Sequence, residues 1–356
     1  MTLIKGLSLN KVDVTELNEP LWDGKTHKSG FTLFGYIKLA LRYLYCYLTL
    51  FFKGMVVETD CFIVGYPGHF DVFLARIVST LRRKPLVFDA FLSLYDSMVC
   101  DRGVMSRKSI SARLLHFVDA TACKMSDRVL LDTDAHIDYF CREFNVSKNK
   151  FVRIWIGCDS EVFAPKEVVK CEKFTVCFHG KFIPLQGVQY ILQAAKILEN
   201  ENVFFRIIGE GQTFPELKQY VDDEQIENVK FYGMLPMSDI PQLQLESHVG
   251  LGIFGDTDKA KRVIPNKLYE IMALKMPVIT GESVAVAELF TDGEELFTCN
   301  MADAESLADR IRTLRDNRGQ LSDVALKGYQ KYQDTCTPTE LGKTLASALD
   351  DLIRQR

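Results

Sequence analysis

Residues 262–280 read RVIPNKLYEIMALKMPVIT, and this stretch decides the fold. Pro265 suits the first turn of a helix, and Leu268, Ile271 and Met272 then recur at three- and four-residue steps along one apolar stripe. At about 100° per residue, Asn266, Glu270 and Ala273 share the opposite face. Pro277 closes the helix, and Val278, Ile279 and Thr280 read as a short buried strand. A helix start is rich in free backbone N–H groups, and with Arg262 and Lys267 beside it this one can hold a phosphate. A glutamate on the outer face of a core helix is also commonly just solvated.

Working outward, the same alternation of strand and helix fills the C-terminal half. A strand at 174–178 leads into the loop 179–187, HGKFIPLQG, and a helix at 188–198. Gly180 and Gly187 allow a ligand to approach the backbone closely, and Lys181 offers a charge to a diphosphate. A strand at 203–208 is followed by Gly209, Glu210 and Gly211, too short a glycine signal to define a nucleotide loop and equally compatible with a plain turn. Strands at 229–232 and 249–254 come next. Residues 302–315 and 321–332 read as amphipathic surface helices, and Thr337 with Glu340 forms a capping-box start for a last helix.

The N-terminal half repeats the pattern. Residues 2–9 read as a helix and 12–15 as a strand. A doubly wound domain normally opens on a strand whose loop faces the ligand cleft, so the first strand of this domain is expected to be missing. The stretch 31–52, FTLFGYIKLALRYLYCYLTLFF, is the most aromatic and apolar. Lys38 and Arg42 interrupt it, which argues against a bilayer-spanning helix. Two readings stay open: a membrane-surface helix whose cations reach lipid phosphates, or a buried domain helix with a wet edge. Strands at 61–65 and 85–89 end at His69 with Asp71 and at Asp89, where α/β sheets place their ligand loops. Asp71 can equally cap the helix that follows, and Asp89 its loop. A helix at 106–125, a strand at 128–131 and a strand at 151–155 complete the domain.

At 356 residues the chain is long enough for two cores. A net charge of −4 gives no general electrostatic case for nucleic acid, so any anion site must be built locally. Ten cysteines without CxxC pairs or histidines at metal spacing make zinc an unfavoured reading and a reducing, cytoplasmic location the expected one.

Residues 265–280 resemble the donor-site helix of family 4 glycosyltransferases, which have the GT-B fold. That family carries two glutamates eight positions apart. Glu270 matches the second, which holds the ribose of a nucleotide sugar, while Arg262 stands at the first. A subset with Phe-Gly, a basic stretch and Pro-Asn-Lys before the glutamate is closer still, matching residues 252–255 and 262–270. The 180–187 loop is similar to the family's diphosphate loop, with Lys181 at the arginine place and Gln186 where a second cation is usual, so Arg262 or Lys267 is expected to compensate. Residues 229–236 resemble the segment whose backbone at Met234 and Leu235 receives the nucleobase.

The resemblance implies an α/β GT-B architecture of two Rossmann-like doubly wound domains facing a cleft. Their expected limits are 1–165 and 174–333, joined by a linker at 166–173, with 334–356 crossing back onto the first. It also implies a retaining, metal-independent transferase moving a sugar from a nucleotide sugar to a hydroxyl acceptor, in glycolipid or polysaccharide biosynthesis. The donor nucleotide sugar is then the substrate and no further cofactor is expected. Glu270 and Asn266 fall to the ribose side, Lys181, Arg262 and Lys267 to the diphosphate, Gly180 and Gly187 to the donor loop, and Asp89 with His69 to the acceptor. The expected partners are a nucleotide sugar, a sugar or glycolipid acceptor and, through 31–53, the inner face of a membrane. Two alternatives stand beside this: a non-catalytic nucleotide-sugar-binding partner of an active transferase, and a sugar epimerase of the same architecture.

Overall fold

The computed structural model describes residues 2–20 and 33–355; Phe31 and Thr32, which open the aromatic stretch, lie outside the described residues. The first lobe is built on four parallel strands, β1 (Phe62–Val64), β2 (Leu86–Asp89), β3 (Arg128–Leu131) and β4 (Phe151–Arg153), in that spatial order. The connections run through helices α3 (Asp71–Arg82), α4 (Ile110–Met125) and α5 (Asp134–Phe144). Parallel crossovers are right-handed, so three successive steps in one direction place all three helices on one face. Side chains alternate accordingly: Leu86, Phe88, Val129 and Leu131 pack with these helices, whereas Val87, Leu130 and Ile154 turn to the other face.

That other face is covered by α1 (Thr2–Leu9) and by the last helix of the chain, α13 (Pro338–Arg354), through Leu7, Leu341, Leu345, Leu349 and Leu352. The two helices cross at a pair of glycines. A Cβ on Gly342 would lie 2.1 Å from the Gly6 backbone, so both positions must lack a side chain for the helices to touch.

The second lobe holds six parallel strands: β5 (Phe174–His179), β6 (Val203–Ile208), β7 (Val229–Phe231), β8 (Val249–Leu251), β9 (Val278–Gly281) and β10 (Phe297–Cys299). Their spatial order, β10-β9-β8-β5-β6-β7, is the doubly wound 3-2-1-4-5-6 arrangement read from the far edge. Strands buried on both faces read as continuous apolar runs, and β5, β8 and β9 are buried along their whole length. The chain leaves the centre of this sheet in opposite directions at β5 and β8, which are hydrogen-bonded neighbours. Such a switch point opens a crevice at the carboxyl ends of the strands.

Helices α6 (Val188–Ile197), α7 (Phe214–Asp223), α8 (Ile240–Glu246), α9 (Asn266–Ala273), α10 (Val284–Ala287), α11 (Ala304–Asp316) and α12 (Gly319–Thr335) complete the lobe. In α9 the apolar stripe is fully buried at Leu268, Ile271 and Met272. The helix stops at Ala273, short of Pro277, because Lys275 takes a left-handed conformation (φ 56°) and turns the chain back so that the Met276 N–H reaches the Ile271 carbonyl.

Several expectations are corrected. Residues 12–15 form no strand and run as exposed or half-buried coil, without a ladder to join. The helix expected at 106–125 begins at Ile110, where the Ser109 hydroxyl accepts from the Ala112 N–H and caps it. The aromatic stretch is not a buried domain helix. It continues to Val56 as α2 (Leu33–Val56), and over Ile37–Val56 only 11% of it is buried. It rests on α3 along one side, where Arg82 donates to the Gly54 and Val57 carbonyls, and exposes Ile37, Leu41, Leu44, Leu48 and Phe52 along the other. With a mean hydropathy of 1.2 over Ile37–Val56, this segment is long and apolar enough to cross a membrane by length and composition.

Candidate functional site

The crevice of the second lobe is lined first by the 180–187 loop. His179 ends β5, Gly180 follows at φ 154°, and Gly187 at φ 65° turns the chain into α6. This loop interlocks with the one after β6: Gly180 N–H donates to the Ile208 carbonyl, Phe182 N–H to the Glu210 carbonyl, and a Cβ on Gly209 would sit 1.9 Å from the Gly180 oxygen. Gly209 and Gly211 thus serve the packing of two loops.

Lys267, in the first turn of α9, rises beneath this loop. Its ammonium donates to the Gln186 side-chain oxygen, stands 3.7 Å from the centre of the Phe178 ring, and lies 2.8 Å from where a Cβ on Gly180 would be. It is 5% exposed, and burial pulls its pKa well below the usual lysine range, against the opposing field of Glu270. Lys181 is exposed on the same loop.

Glu270 lies one turn beyond Lys267 and accepts from His179 Nε2 at 2.6 Å. Its side chain keeps 14% of its surface open. Asn266 is exposed at the head of α9. On the other side of the crevice, Gly233 (φ 66°) accepts from the Gly209 N–H, Met234 is 62% exposed, and Leu235 packs partly on the core beneath.

Arg262 does not join this group. Its guanidinium crosses to the first lobe, 2.9 Å from the Asp96 carboxylate and 3.7 Å above the Tyr139 ring. Asp96 opens a short π-helical turn, Asp96–Asp101, whose Ser97 hydroxyl accepts from Lys259. Thr133 donates to the Arg262 carbonyl. The Glu288 carboxylate crosses the same boundary and accepts the Asp134 and Ala135 N–H groups at 2.7 and 2.8 Å, capping α5 from the opposite lobe.

In the first lobe Asp89 ends β2 and is partly exposed. Burial, reinforced by the charge of Asp132, pushes its carboxyl up to about 6. His69 is 1% exposed, with Nε2 3.0 Å from the Leu92 carbonyl and 3.5 Å from Asp119. It is sealed within the lobe, which corrects its expected contact with an acceptor.

Sequence reading passed over His179, Gln244 and Asp96. The only signal for His179 was its place before Gly180. A hollow of about 570 Å³ lies between β10 and α11 among Asp292, Asp303 and Asp309, an acidic lining unsuited to a diphosphate.

Residues 159–331 match the family model of glycosyl transferases group 1. A Pseudomonas aeruginosa protein named as a probable glycosyltransferase, WbjE, is 26% identical over 195 residues, covering 50% of this chain and 46% of that protein. The amylovoran biosynthesis glycosyltransferase AmsK of Erwinia amylovora is 26% identical over 171 residues, covering 47% and 42%. The matched part thus spans about half the length of these curated relatives. The crystal structure of Anabaena Alr3699/HepE in complex with UDP superimposes with a TM-score of 0.68 at 16% identity, over 88% of this chain and 84% of that one. Two parallel sheets, a switch-point crevice and the structural match together establish that the chain has the GT-B fold, with residues 159–331 similar to glycosyl transferases group 1.

Proposed function

We propose that the protein transfers a sugar from a nucleotide-sugar donor to a hydroxyl acceptor in polysaccharide or glycolipid biosynthesis. The observation that carries this reading is the convergence, at the β5/β8 switch point, of the 180–187 loop, the Lys267 ammonium and the Glu270 carboxylate. The backbone at Met234 and Leu235 takes the nucleobase, Glu270 with Asn266 the ribose, and the loop with Lys181 and Lys267 the diphosphate. Lys267 fills the cationic role that Gln186 cannot. Its amine is desolvated, and an arriving diphosphate restores its charged form. As the glycosidic bond to the leaving phosphate lengthens, these preorganised donors stabilise the charge that develops on it. Asp89 serves the acceptor side. Retention of configuration and independence of metal follow from the family resemblance and belong to the same proposal.

The exposed stripe of α2 suits a membrane surface, with Lys38 beside it at the level of lipid phosphates. That stripe supports the reading, part of the same proposal, that the enzyme works peripherally at a cytoplasmic membrane face.

The test is turnover. Purified protein supplied with UDP- and GDP-sugars should release the free nucleoside diphosphate slowly with water and faster with a saccharide or lipid-linked acceptor. Loss of both rates in Glu270→Ala supports the reading. Tight nucleotide binding without turnover on any acceptor favours the non-catalytic partner, a reading to which the diversion of Arg262 onto Asp96 lends weight.

A further inference from the structure

We propose that His179 and Gln244 are positioning residues that hold the Glu270 carboxylate in its ribose-binding orientation; this rests on the reading that Glu270 binds the donor ribose. Three side chains from three elements form one line. Gln244, on α8, is fully buried, and its amide nitrogen lies 2.8 Å from His179 Nδ1 and 3.3 Å from the Cys177 carbonyl. His179, at the end of β5, presents Nε2 to Glu270 Oε2 at 2.6 Å.

The hydrogen-bond directions are fixed by chemistry. The Cys177 carbonyl only accepts, so the Gln244 atom facing it is the NH₂ group, which also donates to Nδ1. Nδ1 is therefore the unprotonated nitrogen, and Nε2 carries the proton that goes to Glu270. Burial drives the imidazole pKa down against the raising effect of Glu270, in keeping with a neutral ring.

A neutral donor suits this task. It occupies one carboxylate oxygen and fixes the rotamer while leaving the negative charge in place. Among the described residues Glu270 Oε1 makes no hydrogen bond or ion pair, so it is the atom presented to a ribose hydroxyl. Ligand carboxylates are commonly oriented by such outer partners. The arrangement also ties the ribose contact to the switch point itself, because His179 stands on β5, α8 leads into β8 and α9 leads out of it.

The experiment compares UDP and GDP with their 2′,3′-dideoxy forms by calorimetry, in wild type, Glu270→Ala, His179→Leu, His179→Gln and Gln244→Leu. Wild type should prefer the ribonucleotide about tenfold, the value of one good hydrogen bond to a charged group. His179→Leu and Gln244→Leu should lose most of that preference while binding the dideoxy form as wild type does. His179→Gln, whose amide reaches the Nε2 position, should regain it. Equal loss for both nucleotides in the leucine variants means a general structural defect and overturns the proposal. A preference that survives Glu270→Ala overturns the ribose reading instead, and failure of both UDP and GDP to bind wild type overturns the donor site. Independently of any ligand, ¹⁵N spectra of selectively labelled histidine should show His179 with its proton on Nε2; a proton on Nδ1 contradicts the hydrogen-bond line.

Discussion

Arg262 Nη2 of the second lobe lies 2.9 Å from Asp96 Oδ1 of the first, and Asp96 is 1% exposed. This pair joins the two lobes, with Lys259 and Ser97 beside it. Removing one member strands the other charge, so Asp96→Ala should cost about 3 kcal/mol in denaturant unfolding, while the double variant Asp96→Leu/Arg262→Met should cost less than the sum of the two single changes. Because the guanidinium is committed to Asp96, Arg262→Met should leave UDP affinity within about threefold of wild type. A loss of tenfold or more would return Arg262 to the diphosphate.

Glu288 supplies the cap that α5 lacks at two of its first N–H groups. Glu288→Ala should destabilise the protein by about 1–2 kcal/mol, with Glu288→Gln intermediate because an amide oxygen still accepts but carries no charge against the helix dipole. Denaturation midpoints of the two variants check the order; equal stability of both with wild type contradicts it.

The contact of Gly6 with Gly342 lets α13 return to the first lobe. Gly342→Ala places a methyl group inside backbone, and the helices must part. A loss of about 2–3 kcal/mol or more is expected, whereas Gly319→Ala, whose new Cβ meets nothing within 4 Å, should be neutral or mildly stabilising. Thermal melting of the pair distinguishes a packing effect from a generic cost of alanine.

The Asp89 carboxyl has its pKa raised from 3.8 to about 6, so the folded state holds a proton that the unfolded state has lost. Any penalty is absent below pH 4, grows as pH rises towards 6 and is complete above it. Asp89→Asn should therefore be more stable than wild type at pH 7, by on the order of 2 kcal/mol, with the gain vanishing at pH 4. If Asp89 also serves the acceptor, the same variant loses transfer activity while it gains stability. A gain that grows as pH falls contradicts the assignment.

The core of α9 was legible because Leu268, Ile271 and Met272 follow a local period, and the second sheet because its strands are short apolar runs between turn signals. Long-range pairing was not: Arg262 and Asp96 are 166 positions apart, and nothing local tells a cation bound for a phosphate from one bound for a carboxylate. The same blindness hid His179, whose role depends on Gln244 arriving from α8, and misplaced His69, since a residue at a strand end can turn inward as easily as out. The period of α2 is that of any amphipathic helix. Whether its stripe is covered depends on what the lobe provides, and here Ile37, Leu41, Leu44, Leu48 and Phe52 stay exposed.

The most direct measurement is a crystal structure with UDP. The diphosphate should rest on the 180–187 loop within reach of the Lys267 ammonium, with a ribose hydroxyl at hydrogen-bond distance from Glu270 Oε1 and His179 still on Oε2. A nucleotide found elsewhere on the lobe, or Glu270 turned away with its carboxylate closed by protein, would contradict the donor site and the transferase reading built on it.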